Sequence, residues 1–144
     1  MTHSRIRSPY MRGIVISVLR LLWLFGPPIA WCALIFFFSH QSDLPATPGG
    51  DKTAHLIAYA IMGALFARAF WFGTAWTPRT LFTAAVIVST LYGAFDEVHQ
   101  YFVPGRFCSW GDFLADAIGA MLGAIVFYLL ARFTTWVRRD TGRA

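Results

Sequence analysis

The sequence predicts an all-α fold, a polytopic four-helix membrane bundle with both termini on the cytoplasmic side. Three observations predict it. Of the 144 residues, 57% are hydrophobic and only 13% are charged, too little charge to cover a water-facing surface but what lipid-facing helices require. The apolar residues gather in four stretches, at about 18–38, 53–72, 80–101 and 112–131, each close to the ~20 residues with which a helix rising 1.5 Å per residue crosses a bilayer. The cations, finally, fall on one side of those stretches. Composition excludes a compact water-soluble enzyme and a disordered tail.

The first span, 18–38, contains Gly26, Pro27 and Pro28; the prolines remove backbone donors and are expected to kink the helix without ending it. Its apolar core is longer than the ~7–15 residues of a signal peptide, and no small-residue cleavage site follows, so it is expected to stay as a span. The second, 53–72, carries Arg68 about one turn from its inner end, where the side chain is expected to snorkel to the headgroups. The third, 80–101, carries the polar block Asp96-Glu97-Val98-His99-Gln100 at its outer end. The fourth, 112–131, holds Gly119 and Gly123, a small-xxx-small surface that serves either packing against another helix of the chain or a homodimer. The domain is therefore read as 18–131, flanked by a basic cytoplasmic segment at 1–17 and a basic cytoplasmic tail at 132–144.

Orientation follows from the arginines. Arg5, Arg7, Arg12 and Arg20, then Arg68 and Arg79, then Arg132, Arg138, Arg139 and Arg143 all fall on one side, and only Lys52 and Arg106 fall on the other. The positive-inside rule places the first set in the cytoplasm, making a multi-pass protein of the inner membrane. The net charge of +5 is thereby accounted for by topology and by attraction to anionic lipid; membrane lipids are the expected partners and nucleic acid is not. Cys32 lies in an apolar run and Cys108 in a polar loop, so both are expected as free thiols.

The acids distribute oppositely: Asp43, Asp51, Asp96, Glu97, Asp112 and Asp116 are all on the outer side. His55, Asp96 and Asp116, on three different spans, each lie within roughly a turn, ~5 Å, of the outer boundary. Residues three or four apart share a helical face, which aligns Asp51, His55 and Tyr59, then Tyr92, Asp96, His99 and Gln100, then Asp112, Asp116, Gly119 and Gly123. Carboxylates near lipid pair with one another or line a wet cavity, so these faces are expected to close on one polar pocket open to the outside. Asp96, Glu97 and His99 are its candidate reactive or ligating core. Lys52 and Arg106 are candidate anion holders, and His55, Gln100 and Asp112 complete the ring. Asp51 is expected to cap the second helix; the rival to the anion-holding role of Arg106 is that it merely neutralises Asp96. His with carboxylates suits zinc or manganese, but the spacing is not His-Glu-x-x-His, and neither a metal nor a cofactor is assigned. No Gly-x-Ser-x-Gly elbow is present to activate a serine.

The motifs Phe38-Ser39-His40-Gln41-Ser42, Asp51-Lys52-Thr53-Ala54-His55 with Tyr59, and Tyr92-Gly93-Ala94-Phe95-Asp96-Glu97-Val98-His99-Gln100 follow one another across the spans. Pro104-Gly105-Arg106, Ser109, Asp112 and the Gly119–Gly123 pair complete the set. In this combination, over about residues 20–130, the chain resembles the VanZ-like family of small integral membrane proteins. It departs from the family pattern at His40, where a small polar residue is usual, and at Asp116, where Asn is expected; the extra acid changes the charge of the pocket. The family's namesake is linked with low-level resistance to teicoplanin, a glycopeptide acting on cell-wall precursors outside the membrane. The resemblance thus implies a role at the cell envelope and a connection with antibiotic resistance, but supplies no reaction. The expected function is binding of, or action on, an anionic lipid headgroup or a polyprenyl- or phospholipid-linked envelope precursor, with enzymatic turnover left open. The alternative is a noncatalytic scaffold or ion-coupled component whose polar cluster is structural.

Overall fold

The computed structural model describes residues 9–42 and 49–141, with side chains over 14–42 and 49–136. Among the described residues there are four helices and no strand: α1 (Pro9–Ser39), α2 (Asp51–Gly73), α3 (Pro78–Tyr101) and α4 (Trp110–Thr141). Each contains a segment long and apolar enough to cross a membrane, at Ile14–Ser39, Asp51–Gly73, Pro78–Tyr101 and Trp110–Trp136. All four expected spans recur, and each helix overruns its apolar stretch. Hydropathy marks only the hydrocarbon layer, whereas the hydrogen-bond ladder continues into the interface where polar side chains are tolerated. Asp43, Arg5, Arg7 and Arg143 lie outside the described residues, as do the side chains of Arg12, Arg138, Arg139 and Asp140.

The prolines do not end the first helix: Pro27 and Pro28 lie inside a continuous α1, with Pro28 fully buried. Gln41 closes that helix, its side-chain amide donating to Phe37 O at 3.1 Å. Asp51 does not cap α2. Gly50 takes the cap position without any side-chain cap bond, and Asp51 is already inside the first turn. It favours that helix end through its charge rather than through a hydrogen bond. At the other end of α2, Arg20 Nη2 reaches the Phe72 carbonyl at 3.4 Å, satisfying an otherwise orphaned acceptor. Thr77 caps α3, accepting from Thr80 N at 3.2 Å just before Pro78.

The closest packing in the bundle is between α2 and α4. A methyl group placed on Gly119 would meet the Leu56 carbonyl, one on Gly123 the Ala60 carbonyl, and one on Gly63 the Ala120 carbonyl, so two backbones touch where side chains would hold them apart. The Gly119–Gly123 face is thus covered by α2 of the same chain and is not available to a homodimer. α1 packs on α2 and α3 but, among the described residues, not on α4. Trp31 Nε1 donates to Ala58 O at 2.8 Å and the Tyr92 hydroxyl to Cys32 O at 2.7 Å. The Arg68 guanidinium lies 3.9 Å from the centre of the Trp23 ring and donates to Trp23 O at 3.1 Å, a cation–π contact and a helix carbonyl that tie α2 to α1.

The half of the bundle toward the α2–α3 connection is filled by Ala67, Phe70, Leu81, Ala85 and Ala124, and the middle by Ile35, Tyr59 and Met62. Large apolar side chains such as Leu22, Leu91, Val98 and Leu129 face outward, where acyl chains take the place of protein neighbours. Cys32 and Cys108 are free thiols. The end of the core toward the α3–α4 connection is different in kind.

Candidate functional site

On α3 the buried face runs Leu81, Ala85, Ser89, Gly93, Asp96 and Glu97, Gln100, changing from apolar to ionisable over its last two turns. Facing it are His55 and Tyr59 of α2 and Asp112 and Asp116 of α4, all buried. Three helices therefore bring titratable groups to one level. Asp116, wholly inaccessible to solvent, fits against α3 because Gly93 leaves the space open: a Cβ on Gly93 would stand 2.8 Å from Asp116 Oδ2.

The bonds within this cluster are specific. His55 Nδ1 stands 2.9 Å from Asp116 Oδ1 and 3.8 Å from Glu97 Oε1. The other Glu97 oxygen accepts from the backbone N–H of Ser109 at 2.7 Å, tying the α3–α4 connection to the core. Gln100 Nε2 donates to Ser39 Oγ at 3.3 Å and to Asp96 Oδ2 at 3.4 Å, which brings the end of α1 into the site. Asp96 also lies beside the Tyr59 hydroxyl. The Tyr59 hydroxyl, Glu97 Oε1, Asp112 Oδ1 and Asp116 Oδ2 are all buried without a hydrogen-bond partner among the described residues. Orphaned buried acceptors are costly, and here four oxygens share one small region.

The cations form the rim. Lys52, whose side chain is 67% exposed, pairs with Asp112 Oδ1 at 3.6 Å. Arg106, only 11% exposed, pairs with Asp51 Oδ2 at 3.8 Å, and not with Asp96, the partner that the rival reading gives it. Arg106 lies in the turn after α3, beside the first turn of α2, and Asp51 is the carboxylate within its reach. No lysine or arginine is buried in the cluster itself among the described residues.

Of the sequence-derived candidates, His55, Asp96, Glu97, Gln100 and Asp112 converge in the cluster, with Lys52 and Arg106 above it. His99 does not join them. It turns toward α1, where its Nε2 lies 3.4 Å from His40 Nδ1 and its ring packs 4.5 Å from that of Phe36. The 100° advance per residue that buries Asp96 and Gln100 carries His99 onto the side of α3 facing α1. Three contributors carry no role of their own in the sequence-derived set: Asp116 and Tyr59, which lie on the faces expected to close on the pocket, and Ser39. Asp116 and Tyr59 are visible in the sequence as the i+4 partners of Asp112 and His55. Ser39, at the end of α1, carries no spacing signal.

No curated protein and no solved structure matches the chain. The sequence model of one family, VanZ/LLP1, matches residues 24–131, a segment that takes in the buried cluster, its rim cations and the α2–α4 glycine contact. The chain belongs to the VanZ/LLP1 family.

Proposed function

We propose that the protein sits in the inner membrane with both termini in the cytoplasm. In this reading its outer-facing polar site holds the anionic headgroup of a membrane lipid or of a polyprenyl- or phospholipid-linked envelope precursor. The observation that carries the proposal is the stacking of the site: Lys52 and Arg106 at the mouth, and a buried layer of His55, Asp96, Glu97 and Asp116 beneath them. Guanidinium and ammonium groups at headgroup depth suit phosphate oxygens. Asp96, Glu97 and His55 below them are groups able to accept and donate protons to a bound headgroup, so the same geometry serves binding and, with a reactive ester in place, turnover. His99, beside His40 and Phe36, flanks the site and contributes to its outer wall.

Native mass spectrometry of the purified protein in detergent tests this reading, using phosphatidylglycerol, undecaprenyl phosphate and zwitterionic phosphatidylethanolamine as separate additions. The anionic lipids are retained and phosphatidylethanolamine is not, and a Lys52→Ala/Arg106→Ala double variant loses the difference. Equal retention of all three, or an unchanged double variant, overturns it. If the retained headgroup belongs to a cell-wall precursor, expression in a glycopeptide-susceptible host raises the inhibitory concentration of teicoplanin, and the double variant does not.

The reading of the cluster as purely structural draws on the bonds that tie elements together, from Ser109 N to Glu97, between His55 and Asp116, and from Gln100 to Ser39. A structural role uses one oxygen of Glu97 and leaves the other without function.

A further inference from the structure

We propose that His55, Glu97 and Asp116 form a binding site for one divalent first-row transition cation, zinc or manganese. The site is argued from these side chains alone and does not depend on the headgroup reading. Their ligand atoms all lie within 4.8 Å of one another, and all three residues are buried.

Geometry comes first. In a tetrahedral site with ligands about 2.0–2.2 Å from the ion, neighbouring ligand atoms stand about 3.3–3.5 Å apart. The two measured edges at His55 Nδ1 are 2.9 Å to Asp116 and 3.8 Å to Glu97, one shorter and one longer than that spacing. Small movements of two side chains, each on a different helix, bring both to it. Glu97 Oε1 is more than nine-tenths buried, has no hydrogen-bond partner, and faces the imidazole at a distance too long for a hydrogen bond. That is an acceptor directed at something other than the ring. Asp116 Oδ2 is likewise buried and unpartnered.

Charge gives the second argument. Asp96, Glu97 and Asp116 are buried around a single imidazole with no lysine or arginine among them, and uncompensated carboxylates in a low-dielectric site are expensive. The outer trio of Asp51, His55 and Asp112 also has ligand spacing, but Asp51 already faces Arg106 and Asp112 faces Lys52. The inner carboxylates are the ones lacking a cation. One imidazole with two carboxylates selects a borderline ion over calcium or magnesium, which take all-oxygen shells. An ion here also reconciles an anionic ligand at the mouth with acids beneath it, because it presents positive charge toward the incoming oxygen.

Wild-type protein, purified in detergent and stripped with EDTA, is titrated calorimetrically with Mn²⁺, Zn²⁺, Ca²⁺ and Mg²⁺ in separate runs, without lipid. Mn²⁺ and Zn²⁺ each saturate one site per chain and the other two do not. Glu97→Gln and His55→Gln each weaken Zn²⁺ binding by about tenfold or more, while Asp112→Asn leaves it within about threefold. Pulsed EPR of the Mn²⁺-loaded wild type shows coupling to one imidazole nitrogen, a readout that requires no variant to fold. Absence of saturable binding, absence of that nitrogen coupling, preference for calcium or magnesium, or unchanged affinity in folded Glu97→Gln protein overturns the site. Because no lipid enters the titration, its failure leaves the headgroup reading standing, and the mass spectrometry above can fail with the metal still bound.

Discussion

Asp116 has no exposure, hydrogen-bonds His55 at 2.9 Å, and fills the space left by Gly93 on the facing helix. Removing one partner of such a buried pair leaves the other desolvated and alone. Asp116→Ala is expected to destabilise the protein by about 3 kcal/mol, whereas Asp116→Asn, which keeps the volume and an acceptor for Nδ1–H, costs about 1 kcal/mol. Thermal melting in detergent separates the two, and equal losses would show that the carboxylate charge, which both variants lose, matters rather than the volume or the acceptor that Asn keeps. The Asn variant also tests what the acid at this position contributes. At the rim the comparable pairs, Lys52 with Asp112 and Arg106 with Asp51, each include an exposed partner, and their removal is expected to alter ligand capture far more than melting.

At the scale of elements, α2 and α4 are locked by backbone contact. Gly123→Ala places a methyl group against the Ala60 carbonyl, which cannot move without the helix, and is expected to cost about 2 kcal/mol or more. Gly26→Ala is the control: nothing lies within 4 Å of that position, so the change is neutral or gains about 0.5 kcal/mol of helix propensity. A Gly123→Ala protein that melts with the wild type would mean that the α2–α4 contact is not what holds the bundle. Tyr92→Phe, which deletes the hydroxyl bonded to Cys32 O, loosens α1 by about 0.6 kcal/mol, the usual worth of an interhelical hydrogen bond in a membrane. The four helices are legible in the sequence because the bilayer imposes a length that hydropathy reports directly. The depth of the polar layer follows from the same measure, since rise per residue fixes height. What spacing does not fix is how each helix is turned against its neighbours. Hence spacing alone leaves the partner of Arg106 open, groups His99 with Asp96 and not His40, and puts Asp116 in the interior without naming its partner. Those rotations are set by close contacts such as Gly123 on Ala60, which exist only once both helices are present.

The whole molecule is asymmetric across the membrane in both charge and burial. Its two cysteines offer a test of the proposed orientation without any engineered site, because Cys108 is exposed in the α3–α4 connection while Cys32 lies inside the α1 span. A membrane-impermeant maleimide added to intact spheroplasts is expected to label the wild type once and Cys108→Ser not at all. Labelling that appears only after the cells are opened reverses the topology and turns the polar site toward the cytoplasm. Either way, both cations at the mouth already hold carboxylates, Lys52 at 3.6 Å and Arg106 at 3.8 Å. Under the proposed headgroup reading an arriving phosphate docks by swapping counter-ions, and its net affinity is the difference between the ion pairs it forms and the ones it displaces. The entrance would then work as a miniature ion exchanger. Salt weakens the incumbent and the newcomer alike, so capture is expected to depend less on ionic strength than it does on an open basic patch. Neutralising the incumbent with Asp51→Asn is expected to tighten it.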